Sequence, residues 1–181
     1  MKYLLPFILL IGFASCGDDN DSEIHYDGAN FSAPELIVGT HEAAAKFTAS
    51  FIQSNVGRNV EAVSYYLQSI PQACEIRIYD EGTNVEPGAL LYSADVTASM
   101  GPNRWNTHDL SDVVTLADKD IWVVVRLVHT ASAATIGCDE GPADSNGDWL
   151  WGDIDNEWIT FRDRSSQQTD INWNIRMILS E

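Results

Sequence analysis

The segment Ile171-Asn172-Trp173-Asn174-Ile175-Arg176-Met177-Ile178-Leu179 has an apolar residue at every odd position. A β-strand turns successive side chains to opposite faces, so a period of two lets one face join a core while the other stays wet. The run therefore predicts a strand with Ile171, Trp173, Ile175, Met177 and Leu179 buried and with Asn172, Asn174 and Arg176 facing outward.

Shorter runs of this kind recur along the chain, divided by Gly, Pro, Asn and Asp. They predict strands over 60–67, 74–79, 89–96, 104–110, 148–151 and 157–161, with Pro87-Gly88 and Asn156 between them as turn residues. Residues 121–128 are apolar on both faces except at Arg126, the pattern of a strand covered on both sides. Residues 41–46 are alanine-rich with good helix propensity, but they lead into Phe47-Thr48-Ala49-Ser50-Phe51, which alternates, so the whole segment predicts a strand. Many short strands with frequent turn signals point to an all-β fold, a two-sheet antiparallel β-sandwich of jelly-roll-like form.

The chain of 181 residues is long enough for one domain, placed at 24–181, with a substantial core. Six each of Trp, Tyr and Phe provide burial to offset the entropy of ordering. All 27 acids follow Cys16, against nine of the ten Lys and Arg, so the part after residue 15 carries about −18. Affinity for nucleic acid comes from neutralising phosphates with a basic patch, and no such patch is visible; nucleic acid is not an expected partner.

At the amino end, Met1 and Lys2 precede an apolar stretch over 4–13, followed by Ala14, Ser15 and Cys16. This is the layout of an export signal, and it is shorter than the roughly 20 apolar residues a membrane-spanning helix needs. Phe13-Ala14-Ser15-Cys16 resembles the lipobox of bacterial lipoproteins, with Phe13 where that family usually has Leu. The resemblance implies that residues 1–15 are a signal peptide and that Cys16 is acylated, with a lipid bilayer as partner. At about 0.8 kcal/mol for each buried methylene, two or three acyl chains would hold the protein on a membrane. Residues 16–23 then read as a polar, acidic, flexible tether. The run Gly17-Asp18-Asp19-Asn20-Asp21-Ser22-Glu23 also resembles the acidic export signal of surface-exposed lipoproteins in some Gram-negative bacteria. An outer-membrane lipid anchor facing the cell surface is implied, with the periplasmic face as the alternative.

Further pieces follow one another in a recognisable order. They are Asp27-Gly28, Ala45-Lys46-Phe47, Ile76-Arg77-Ile78-Tyr79, the stretch from Pro87-Gly88 to Tyr92-Ser93, and Arg104-Trp105-Asn106. Then come Ile121-Trp122-Val123-Val124, Cys138-Asp139-Glu140-Gly141-Pro142, Gly147-Asp148-Trp149 and Asn172-Trp173-Asn174-Ile175-Arg176. Together they resemble a β-sandwich accessory module found in large secreted and surface proteins of bacteria with type IX secretion. That module is an appendage beside proteases or adhesive repeats, whereas here it would stand alone on a lipid anchor.

Catalytic signatures are sparse, so no catalytic residue is assigned and an enzyme is not expected. His41-Glu42 begins like a zinc-protease helix, but Ala45 occupies the place of the second histidine. With Cys16 lipidated, Cys74 and Cys138 form an even pair in an oxidising compartment, which predicts a disulfide; two buried thiols are the alternative. Trp149, Trp151 and Trp158 could stack on sugar rings while Asn172, Asn174 and Arg176 bond hydroxyls, although large rings in a sandwich also serve as core. Asp144, Asn146 and Asp148 place oxygen at every second position, with Asp155 at the twelfth, like the opening of a Ca2+ loop. Trp149 replaces the glycine of such loops, and a solvated acidic turn is the other reading. No further cofactor is expected.

The sequence thus describes a surface-displayed, non-catalytic lipoprotein domain that binds glycan or a surface protein; the alternative is a structural or assembly component of an envelope complex. Binding predicts clustered accessible aromatics, assembly predicts an apolar interface patch, and catalysis predicts titratable groups converging in a cleft.

Overall fold

The computed structural model describes residues 22–181. The expected signal peptide 1–15, the expected acylation at Cys16 and residues 17–21 of the expected tether lie outside the described residues. The last tether residue, Glu23, is already part of the fold: Glu23–Ile24 (β1) pairs with the carboxy-terminal strand, and the Leu179 amide donates to the Ser22 carbonyl at 2.7 Å.

The remaining strands in chain order are β2 (Glu35–Leu36), β3 (Gly39–Phe47), β4 (Asn59–Leu67), β5 (Ala73–Asp80), β6 (Leu90–Asp95) and β7 (Arg104–Thr115). They are followed by β8 (Ile121–His129), β9 (Ala133–Ala134), β10 (Trp149–Gly152), β11 (Glu157–Thr160) and β12 (Ile175–Leu179). Two one-turn helices interrupt them, α1 (Ala49–Ile52) and α2 (Phe161–Arg164). A four-stranded sheet in the order β1-β12-β4-β7 faces a six-stranded sheet in the order β11-β10-β3-β8-β5-β6, with β2 and β9 forming a small separate ribbon. Every pairing is antiparallel, and the architecture is the two-sheet β-sandwich that the alternating runs predict.

The inward positions of the two sheets fill one core, with Ala43, Ala45, Phe47, Ile76, Ile78, Val123, Val125 and Leu127 from one and Val63, Tyr65, Ile175 and Met177 from the other. Central β8 is apolar on its outer face as well, because Trp122 and Val124 there join a second, smaller cluster with Ala44 and Trp149.

Two expectations are corrected. The alternating stretch after Phe47 is not strand: the Thr48 hydroxyl accepts the Phe51 amide and Asp120 accepts the Ala49 amide at 2.8 Å, so the orphan donors of a helix start are satisfied and α1 begins. Phe47 closes the core, and Tyr26 stacks on both Phe47 and Phe51. The second correction concerns the polar side of 171–179. Ile171, Trp173, Ile175, Met177 and Leu179 are buried as expected, but Asn172 and Asn174 are buried too, at 2% and 0% exposure. The segments around 27–30 and 137–142 pass over that face and cover it.

Candidate functional site

Outward positions of the six-stranded sheet form a continuous band, set by cross-strand register. Trp158 of β11 lies opposite Trp151 of β10, Trp151 opposite Glu42 of β3, Glu42 opposite Arg126 of β8, Arg126 opposite Glu75 of β5, and Glu75 opposite Asp95 of β6. The row runs from aromatic to ionic across all six strands. Beside it, Arg77 donates to Glu42 at 2.9 Å, to Glu75 at 2.8 Å and to the Tyr79 hydroxyl at 3.0 Å, and Arg126 lies 3.8 Å from both carboxylates. Burial pushes the Glu42 carboxyl up from its ordinary value, opposed by the positive charges of Arg77 and Arg126. Two bases thus sit between two acids, so the charged half presents both signs without a large net charge.

The aromatic half is built around Trp122, whose indole N–H donates to the Glu81 carbonyl at 3.0 Å. Trp149 meets it edge-on with ring centroids 5.2 Å apart, Trp158 lies 5.7 Å away, and the Lys46 ammonium sits 5.4 Å from the Trp122 ring while pairing with Asp120 at 3.0 Å. Trp149 is buried and supports the surface from beneath, as the core-packing reading has it. Trp151 and Trp158 are half-buried. Of the three tryptophans predicted as a platform, two are therefore accessible, and their neighbours are Glu42 and Arg126 rather than Asn172, Asn174 and Arg176.

Those last three residues form a bracket. Asn172 donates from its backbone and side chain to Asp139 and from its side chain to the Pro142 carbonyl, while its Oδ1 accepts the Asp144 amide at 2.7 Å. Asn174 donates to Asp27 at 2.7 Å. Arg176 donates to Asp27, Glu23 and the Gly28 carbonyl and lies 4.2 Å from the Trp105 ring. Hydrogen bonds from Asn172 and the Gly28 and Gly141 amides hold the Asp139 carboxyl below the usual carboxylate range despite its burial. These contacts tie the loops around 27–28 and 139–144 onto β12 and the segment 172–174 that leads into it, and they occupy the donors that a sugar would need.

Two further expectations are corrected. Cys74 and Cys138 are both free, with separate surroundings: Cys138 Sγ lies 3.3 Å from the Ser32 hydroxyl, while Cys74 sits on β5 opposite Leu127, inside the core. Each packs as a small apolar side chain, and burial pushes both thiols up, that of Cys74 to about 12. The proposed Ca2+ ligands do not converge. Asp144 folds back on the Asn146 amide, Asp148 is buried and accepts the Arg162 amide at 2.9 Å, and Asp155 pairs with Arg164. No group of three or more His, Cys, Asp or Glu suited to a metal ion occurs among the described residues.

The molecule is therefore a two-sheet β-sandwich with a mixed aromatic and ionic band on its larger sheet. No protein-family model and no curated protein matches the chain. Among solved structures it is similar to the clostridial cysteine protease Cwp84 after propeptide cleavage, at TM-score 0.62 and 13% identity over 88% of this chain and 40% of that one. It is also similar to a structure of the cysteine protease and lectin-like domains of Cwp84, a surface layer associated protein of Clostridium difficile, at TM-score 0.55 and 14% identity over 81% and 33%. The chain thus spans well under half the length of these neighbours, and at such identities the likeness is one of fold.

Proposed function

We propose that this protein is a non-catalytic glycan-binding module displayed on a bacterial outer membrane by acylation of Cys16. The observation that carries the reading is the band of Trp158, Trp151, Glu42 and Arg126. Indole faces stack on the apolar faces of pyranose rings, and the adjoining carboxylates and guanidinium groups accept from and donate to hydroxyls. Because acids and bases alternate there, a neutral glycan lying across the strands suits the band better than a polyanion. The ionic groups are held in mutual pairs on an open face rather than gathered in a cleft, which favours binding over catalysis. Both neighbours in fold are structures of Cwp84, and one of them comprises the cysteine protease and lectin-like domains of this surface layer associated protein. Surface placement draws on the same neighbours and on residues 13–23.

Binding is tested by calorimetry of the full chain against neutral cell-surface oligosaccharides. Trp151→Ala and Trp158→Ala each weaken binding by at least about tenfold, a loss of roughly 1.4 kcal/mol, while thermal unfolding is little changed. Absence of binding in the wild type, or equal binding in both variants, rules the reading out. Anchoring is tested separately by metabolic fatty-acid labelling, which Cys16→Ala abolishes; label persisting in that variant refutes it.

A further inference from the structure

A concavity lies on the other side of β10, at the corner of the sandwich. It encloses about 290 Å³ between β2, the amino end of β3, β10 and α2. Leu36, Ile37, Leu150, Ile154 and Phe161 make its walls apolar. At its base, a Cβ placed on Gly152 would lie 3.2 Å from Asp155 Oδ1, 3.5 Å from His41 Nδ1 and 3.9 Å from Arg164 Nη1, so the glycine keeps open the point these groups approach. Most of that corner is paired internally, since Asp155 pairs with Arg164 and His41 Nε2 meets the Ile37 carbonyl at 2.9 Å, while Arg164 Nε is buried without a partner. The cavity offers apolar volume rather than charge.

Around its mouth, apolar surface continues into solvent. Ile37 is 51% exposed, Val38 52% and Ile154 71%, with Glu35 and Asp153 close by in sequence. A small ligand enclosed by the cavity would leave this rim in water, whereas a polypeptide that covers the rim while inserting one side chain would use both. Charge narrows the partner further. The chain carries −17, and each of its nine Lys and Arg within the described residues already makes polar contacts, so a second copy or an anionic bilayer is repelled.

We propose that this cavity and its rim dock a polypeptide partner that inserts one large apolar side chain flanked by Lys or Arg. The site lies at the end of the sandwich away from the described start of the chain. Its ribbon strand β2 pairs with β9, next to the Ile136 bridge to Leu67, whereas Glu23 lies opposite Ile178, whose β4 partner is Ala62.

Fluorescence anisotropy of the full chain with a labelled Lys-Lys-Phe-Lys-Lys peptide, against Lys-Lys-Ala-Lys-Lys, tests this. The Phe peptide binds at least about tenfold more tightly. That preference is lost in Gly152→Leu, which fills the cavity, and is reduced in Ile154→Ser, whose solvent-exposed side chain contributes little to folding. Failure of the wild type to distinguish the two peptides, or a preference unchanged in both variants, overturns the proposal. So does Ile154-dependent binding to phosphatidylcholine and phosphatidylglycerol vesicles, or an Ile154-dependent dimer in sedimentation, since either gives the rim a different occupant. Glycan binding through Trp151 is unaffected by both variants, so this result stands or falls apart from that of the aromatic band.

Discussion

Asp148 shows how strongly one buried side chain can set the response of this fold to pH. Its carboxyl is pushed up to about 6 by burial, even though it accepts the Arg162 amide. The folded chain therefore holds that proton more tightly than the unfolded chain. The resulting stabilisation is fully present below the ordinary value of 3.8 and is lost as pH rises through about 6. Asp148→Asn, which keeps an acceptor for the Arg162 amide without the charge, stabilises the protein at pH 7.5 by roughly 1–2 kcal/mol, and the gain disappears below about pH 4. Thermal unfolding of both proteins across that range checks the sign. The cysteines make a second residue-scale prediction. With both thiols buried and raised, native protein at pH 8 resists iodoacetamide, and denatured protein takes two labels on Cys74 and Cys138 without added reductant; a bridged pair takes none. The sequence showed which residues could pair or bind metal, but not that Cys74 and Cys138 have different neighbours or that Asp155 turns to Arg164.

At the scale of elements, β12 separates what periodicity can reveal from what it cannot. Alternation identified its buried side because the apolar residues themselves carry that signal. The cover over Asn172 and Asn174 comes from loops more than 30 and 140 residues away in sequence, so nothing in the local pattern distinguishes a wet face from a bracketed one. The same limit applies at Thr48, where an N-cap ended a strand that alternation would have continued. Trp173→Ala should cost about 3–5 kcal/mol through lost burial and a residual cavity. Asn172→Ala should cost about 1–3 kcal/mol, because it leaves the Pro142 carbonyl and Asp144 amide without that partner. Hydrogen exchange in 139–147 should accelerate in this variant while β3 and β8 stay protected; unchanged exchange there would show that Asn172 does not hold the loop.

Across the whole molecule, the excess of acid over base opposes compaction, and salt screens that repulsion. The melting temperature should rise as NaCl increases from a few millimolar to about 0.15 M, and a fall would mean that the ion pairs of the sheet band outweigh the net repulsion. The fold class was legible because short alternating runs recur along the domain. The band was not, because it assembles one residue from each of six strands spread between Glu42 and Trp158. Its local hints were the closely spaced Trp151 and Trp158 and Arg126, the single charge inside an otherwise apolar run. The two-residue strand β1 has a mechanical consequence. In a chain held by its amino end, a load from a bound polymer reaches the sandwich first through Glu23–Ile24, which is secured by β12 and by the grip of Arg176 on Glu23 and Asp27. This short edge seam is expected to part under tension before the longer strand pairings behind it.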